Sequence, residues 1–516
     1  MLKKLLPFIT FAFISPVTKA QNEFTTIWKP NTNVSAPVTV NAPYAAGTNH
    51  IWFPGIGTNY TISWEEVNYP QHNATLSNIS SANQFLIDFG TPLNPNPADA
   101  TYIVKVSNGN GTFNQIRFGI PTVDPITNLI TWQMYGSADK ITEISQWGNI
   151  QWNSMNSAFA NCKILDITAS DTPNLSVVTD ASFMLYNTHS LSGGPAFGNW
   201  NTSNIKDFSY MLSNYSLVAS DTFNAPIGTW NTSSAESFSH MLEERRLFNQ
   251  PLNDWDTSHV TNMGWMFANC MAFNQPLNSW NTSQVTNMEY MFHFITNFNQ
   301  PLNNWDISNV TNISHMFHAV LSFNQPLDAW NTSSVTNMST VFSNAHSFNQ
   351  SLGTWNLPSL TNASLALLDS GIDCSNYSNT LKGWADNPNT ANNINLGHVT
   401  PLTYSTDVTD KRNILTNNKG WTIFNDTVGE CNILGVSESH LAGTAPSIYP
   451  NPAEETIYIR NISNAKNYII LDASGRVITK DIISENSINI QPLIRGNYVL
   501  QIVSKDKIHS FKFIKR

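Results

Sequence analysis

The stretch FNQPLNDWDTSHVTNMGWMFANC at Phe248–Cys270 returns from Phe273 to Phe292 as FNQPLNSWNTSQVTNMEYMF, the same phrase 25 residues on. Tryptophan keeps that interval at Trp230, Trp255, Trp280, Trp305, Trp330 and Trp355. A fixed period with apolar residues held in phase is the signature of a solenoid. One unit alone is too short to bury its Trp, Met and Phe, so stacked neighbours must supply the core. Outward from this regular block the register loosens. Trp200 to Trp230 spans 30 residues, and HisSerLeuSerGlyGlyPro intervenes at 189–195. Irregular ends are expected, because terminal units meet water on one face.

Within a unit the apolar columns are Trp, the residue two later, Val, Met, Met-Phe and Phe. The column two after Trp reads Thr232, Thr257, Thr282, Ile307 and Thr332, and Ile307 marks it as inward. Trp-x-[Thr/Ile] therefore reads as a short period-two strand. The residue between (Asn231, Asp256, Asn281, Asp306, Asn331, Asn356) then faces outward in a row. ValThrAsnMet-x-x-MetPhe has helix-like spacing. Strand on one side and a turn of helix on the other make a leucine-rich-repeat-like coil over 141–362.

The flanks differ. MetLeuLysLys and a short apolar run ending in small residues read as a signal peptide over 1–20, and no other stretch has the length of a membrane span. Residues 21–130 alternate in short runs at Thr61–Val67, Phe85–Phe89, Tyr102–Val106 and Gln115–Phe118, an all-β domain with GlyAsnGlyThr at 109–112 as a hairpin turn. Residues 363–431 read as a cap on the last coil and 432–447 as a linker. A second β domain, a sandwich, follows over 448–516. The predicted fold class is thus α+β and multidomain.

Charge excludes one class of partner. Residues 21–444 carry 12 Lys+Arg against 29 Asp+Glu, and no Lys or Arg lies between Arg246 and Lys382. Nucleic acid needs cations to displace its counterions, so none is expected here. Of four cysteines, Cys162 and Cys270 end the related phrases AFANC and MFANC several coils apart, too far to bridge at about 4.8 Å per coil, and read as free and buried. Cys374 and Cys431 flank the cap and are placed for a disulfide.

No motif of catalysis is present: no H-E-x-x-H, no G-x-S-x-G and no Walker loop. Glu65–Glu66 and Glu243–Glu244 are neighbouring carboxylates, the second pair followed by Arg245–Arg246 as in a solvated charged turn. No enzyme, cofactor or metal is therefore expected. A column before the second Met holds His240, Trp265, Tyr290, His315 and Thr340, which at one coil spacing stack as a ladder suited to binding or to packing alone. Histidines 240, 259, 293, 315, 318 and 346 read as scattered among columns and mostly surface, with only the i,i+3 spacing of His315 and His318 as a weak zinc signal. Asp256 and Asp306 lie two coils apart, about 10 Å, too far to share a calcium ion. Their row reads as an amide ladder or part of a binding face.

The repeated phrase closely resembles the BspA-like leucine-rich-repeat surface proteins, over about Ile141–Asn362. The C-terminus resembles the type A sorting domain of the type IX secretion system, through TyrProAsnPro at 449–452, AspAlaSerGlyArg at 472–476, ArgGlyAsnTyr at 495–498 and the final LysPheIleLysArg. The second resemblance implies export across the outer membrane of a Gram-negative bacterium by the type IX machinery, then release or surface attachment. The first implies adhesion or binding of a protein or glycan at the cell exterior. A self-associating surface or matrix component is the alternative, and a glycan-degrading enzyme a more distant one.

Overall fold

The computed structural model describes residues 22–32, 49–214, 221–431, 447–449, 453–460, 462, 467–472, 476–483, 486–503 and 508–516. The expected signal peptide over 1–20, the expected linker up to residue 446, residues 450–452 of TyrProAsnPro and residues 473–475 of AspAlaSerGlyArg lie outside them. The chain forms two compact units, divided between Cys431 and Asn432.

In the first unit, runs of alternating burial build β1 (Phe24–Trp28), β2 (His50–Phe53), β3 (Gly55–Glu66), β4 (Tyr69–Ser81), β5 (Phe85–Asp88), β6 (Tyr102–Ser107), β7 (Thr112–Ile116), β8 (Gly119–Val123), β9 (Ile130–Met134), β10 (Ile141–Gln146) and β11 (Asp166–Ile167). The largest sheet has the order β11-β10-β1-β6-β3-β4, with β7 also on β3. β10 pairs antiparallel with β1 and parallel with β11. The solenoid therefore grows directly from the sheet, and one core runs from Phe24 to Ile423. Phe24 packs edge-on to Trp152 at 5.1 Å and against Trp147 at 5.8 Å.

One turn departs from expectation. β6 meets β3 at Thr61–Glu66 and β7 meets it at Gly55–Thr58, both antiparallel. GlyAsnGlyThr at 109–112 is thus a loop-out between two strands that continue in one direction, not a hairpin turn. Gly111 sits so close to β3 that a Cβ would lie 1.9 Å from the Thr58 carbonyl oxygen, so only glycine fits.

The coils also differ from a strand-and-helix unit. Amides of Met263, Trp265, Phe267 and Asn269 donate to the carbonyls of Asn287, Glu289, Met291 and His293 in the next coil, at 2.8–3.1 Å. The intervening amides of Met266, Ala268 and Cys270 donate three residues back. With every second amide committed to a neighbouring coil, no continuous i→i−4 ladder can form. The backbone instead alternates, entering the left-handed region at Trp265 (φ 61°) and Asn269 (φ 62°). Nor does Trp-x-Thr form a strand. Thr232, Thr257 and Thr282 are buried and donate their hydroxyls to the carbonyls of Asp256, Asn281 and Asp306. Parallel bridging is confined to one residue per coil, along Asn262, Asn287, Asn312, Asn337 and Asn362. The chain is mostly β, and its α-helices among the described residues, α1 (Cys374–Asp386) and α2 (Thr409–Asn413), lie in the cap.

Two columns hold the coils together. Trp255, Trp280 and Trp305 stack at 6.4 and 6.2 Å with rings nearly coplanar in direction. Each indole N–H donates to the Ile227 or Leu carbonyl of the coil before it, as Trp280 does to Leu252 at 2.8 Å. Phe248, Phe273, Phe298, Phe323 and Phe348 stack at 6.1–6.2 Å. Beside them runs an amide ladder in which Asn274, Asn299, Asn324 and Asn349 each donate a backbone N–H to the side-chain oxygen of the preceding Asn.

The cap continues the tryptophan pattern, Trp384 donating to the Leu352 carbonyl at 2.9 Å. Tyr377, Leu381 and Trp384 of α1 are buried against the last coil. A Cys374–Cys431 disulfide closes 57 residues, while Cys162 and Cys270 are free and buried. Replacing both bridged cysteines by alanine is expected to remove about 4 kcal/mol, the loop-closure entropy of the unfolded chain. Urea unfolding with and without the bridge measures this. A loss under about 1 kcal/mol would show that packing of α1 alone restrains the segment.

In the second unit, β12 (Ser447–Tyr449), β13 (Thr456–Arg460) and β16 (Ser487–Asn489) form one antiparallel sheet; β14 (Asn467–Asp472), β15 (Val477–Ile482), β17 (Gly496–Val503) and β18 (Ile508–Lys515) form another. Ile457, Ile488, Ile470, Leu500 and Phe513 from the two sheets share one core.

Candidate functional site: the aromatic ladder and its histidines

The left-handed position in each coil presents one side chain in a fixed direction, and these side chains stack. The ladder runs Phe183, Tyr210, His240, Trp265, Tyr290, His315, with centroid spacings of 4.4, 4.1, 5.3, 3.8 and 4.1 Å and rings within 13° of parallel. Positive φ recurs at all six and at Thr340. Non-glycine residues rarely adopt it; here the inter-coil hydrogen bonds on either side hold it in place. Phe183, Tyr210 and His240 are buried, and Trp265, Tyr290 and His315 half-buried. The faces of inner rings cover one another, leaving only edges toward solvent.

Phe183 and Tyr210 escaped the sequence reading because insertions place them 27 and 30 residues before the next rung. The phrases PheMetLeu, TyrMetLeu and HisMetLeu at 183–185, 210–212 and 240–242 carry the signal.

Three of the six histidines do not scatter. His293 and His318, 25 residues apart, share one column, three residues beyond the ladder position, and His315 turns toward them from the ladder. His293 and His318 stack at 4.9 Å, and their Nδ1 atoms lie 3.1 Å apart. Both rings meet His315 edge-on, at 6.3 and 5.7 Å. One ring nitrogen from each of the three lies within 4.8 Å of the others. His315 Nδ1 is buried with no hydrogen-bond partner among the described residues, while Asn344 Nδ2 reaches His318 Nε2 at 3.2 Å. Burial, and after it the His318 and His315 imidazoles, holds the His293 pKa at about 3. Burial and His318 hold His315 at about 4, and burial lowers His318 as well. All three are neutral at pH 7 and offer lone pairs.

Asp256 and Asp306 are exposed in their row. Each carboxylate oxygen accepts the backbone N–H two residues on, from Ser258 at 3.0 Å and Ser308 at 2.9 Å. Hydrogen bonds from those serines lower both carboxyl pKa values. Asn231, Asn281 and Asn331 do likewise within their own coils. The row is a set of local Asx turns, and the inter-coil amide ladder belongs instead to the Asn of PheAsnGln.

The carboxylate pairs are structural. Glu66 is buried and accepts from the Leu93 and Asn94 amides at 2.8 Å, with His72 Nδ1 at 2.6 Å. Glu243–Arg246 is not a solvated turn. Arg245 is fully buried, donating to Asp221 Oδ1 at 2.7 Å and to the Thr188 carbonyl at 3.1 Å. Arg245 stands at the inward column position of Cys270, Ile295, Val320 and Ala345, all buried, and its guanidinium lies over the Phe223 ring at 5.1 Å.

Three apolar side chains of these coils are exposed, with Thr296 between Met271 and Leu321 in their column. Met271, Phe294 and Leu321 are exposed at 37, 41 and 40%, and Phe294 lies edge-on to His293 at 4.4 Å and His318 at 5.3 Å.

Residues 153–278, 195–304 and 266–384 match the family described as "Mycoplasma protein of unknown function, DUF285", and residues 447–516 match the "Secretion system C-terminal sorting domain". No curated protein matches the chain. It is thus a secreted protein in which repeats of the DUF285 type precede a C-terminal sorting domain of the type IX route. No helix among the described residues is long and apolar enough to cross a membrane.

Proposed function

We propose that this secreted chain is a BspA-like, non-enzymatic recognition protein of the Gram-negative cell exterior, and that it binds a protein through the edge formed by Met271, Phe294, Leu321 and the half-buried ladder residues. The observation that carries this reading is the exposed apolar group Met271, Phe294 and Leu321 on otherwise polar, cation-free coils. Exposed apolar side chains set among polar ones mark interaction surfaces, and binding energy concentrates in a few such anchors. The inner ladder faces cover one another, so a sugar ring finds no free platform there, which favours a protein over a glycan. Asp256 and Asp306 enter the proposed surface only as solvated rim charges.

The test uses the mature chain beside a Met271→Ser/Phe294→Ser/Leu321→Ser variant, applied to arrays of extracellular-matrix proteins, bacterial surface proteins and glycans. The three side chains are 37–41% exposed, and circular dichroism checks that the variant folds before binding is compared. Wild-type binding to a protein that weakens at least about tenfold in the variant is expected. Binding to glycans alone, or equal binding by both chains, would overturn the proposed edge. Concentration-dependent assembly without any ligand would favour the structural, self-associating component.

A further inference from the structure

Three imidazoles converge, and among the described residues the titratable groups that shift their pKa values are one another. His293 and His318 occupy one column in consecutive coils, and the coil repeat itself therefore sets their separation. Their Nδ1 atoms, 3.1 Å apart, sit close to the spacing of two nitrogens on one tetrahedral zinc ion, about 3.3 Å for bonds of about 2.0–2.1 Å. The third nitrogen, within 4.8 Å, needs to close by on the order of an ångström to join them. His315 Nδ1 is buried and has no hydrogen-bond partner among the described residues, and such an orphaned ring nitrogen needs an explanation in a native fold. A cation supplies one.

We propose that His293, His315 and His318 bind a divalent transition-metal ion, zinc foremost, at the coil edge beside the aromatic ladder. Imidazole suits Zn²⁺, Cu²⁺ and Ni²⁺, whereas Ca²⁺ and Mg²⁺ require oxygen ligands. Asn344 supplies the outer support. When Nδ1 of His318 carries the metal, its Nε2 bears the proton, and an amide flip of Asn344 turns oxygen toward it in place of the present Nδ2. Three protein nitrogens leave a fourth tetrahedral position for water or for a side chain of the bound partner. The edge-on ring of Phe294 shelters the ion on one side. The proposal does not depend on the partner reading above, since the metal is tested without a partner.

The experiment is calorimetric titration of untagged, chelator-stripped mature chain with Zn²⁺, followed by Co²⁺ absorption and Cu²⁺ electron paramagnetic resonance. A single saturable site of micromolar affinity or tighter is expected. His293→Asn and His318→Asn should each weaken it by at least about 100-fold, more than loss of an outer-shell partner does. His346→Asn, at an exposed histidine paired with Asp369, should leave it unchanged. His315→Asn is a further ligand variant, because asparagine tolerates the left-handed backbone there. Circular dichroism reports whether each variant folds. In the wild type alone, Cu²⁺ must show hyperfine coupling to imidazole nitrogens, which holds the proposal testable even if a variant unfolds. Absence of a saturable site in folded wild type, purely oxygen coordination, or undiminished affinity in a folded His293→Asn/His318→Asn chain would each overturn it.

Discussion

Trp280→Ala is expected to destabilise the first unit by about 3–5 kcal/mol, the range for truncating a buried aromatic. Trp280 is 4% exposed, lies between Trp255 and Trp305, and bonds the Leu252 carbonyl. Removing it opens a cavity, breaks two ring stacks and leaves the Leu252 carbonyl with the Trp255 amide as its remaining donor. Because each coil rests only on its neighbours, the loss falls on both adjoining interfaces at once. Trp280→Phe keeps a ring in the stack and forfeits the N–H, so its cost should be smaller by about half. Urea denaturation followed by tryptophan fluorescence and circular dichroism separates the two. A cost below about 1 kcal/mol for the alanine variant would mean that the coils close over the gap, contrary to the packing described here.

Asp221→Ala should be as damaging, by a different cause. It leaves the Arg245 guanidinium, which has no exposure to water, facing among the described residues the Leu212 and Thr188 carbonyls, the Thr188 hydroxyl and the Phe223 ring. Breaking a buried pair from one side costs about 3–5 kcal/mol. Replacing both partners by apolar residues, as in Asp221→Leu/Arg245→Met, should recover most of that loss, since no isolated charge then remains inside. Thermal unfolding of the single and double variants decides the matter. If the double variant is no better than the single, the pair contributes more than the avoidance of a bare charge.

The ladder was legible where the period is strict. His240, Trp265, Tyr290 and His315 stand one repeat apart, and a residue repeated at one point of every coil must meet its own copy. Phe183 and Tyr210 were hidden because their coils have other lengths, although the aromatic-Met-Leu phrase survives. The histidine cluster lay within the same arithmetic, at 293 and 318. Its third member comes from a different column, and convergence of two columns depends on how the coil turns. Asp256 was legible as outward, yet whether its oxygen serves its own coil or the next is a question of hydrogen-bond reach.

The 25-residue period, taken by itself, determined that the chain stacks and which columns turn inward. Burial enforces those features in any coil that repeats the phrase, so sequence suffices for them. The backbone conformation was decided only in the folded stack. Spacing such as ValThrAsnMet-x-x-MetPhe fits a helix locally, but amides that can bond either within a coil or to its neighbour are settled by the neighbour's presence. The pairing of Arg245 with Asp221, the meeting of three imidazoles and the continuation of one core from Phe24 into the coils have the same origin, since each joins residues that the repeat alone does not relate.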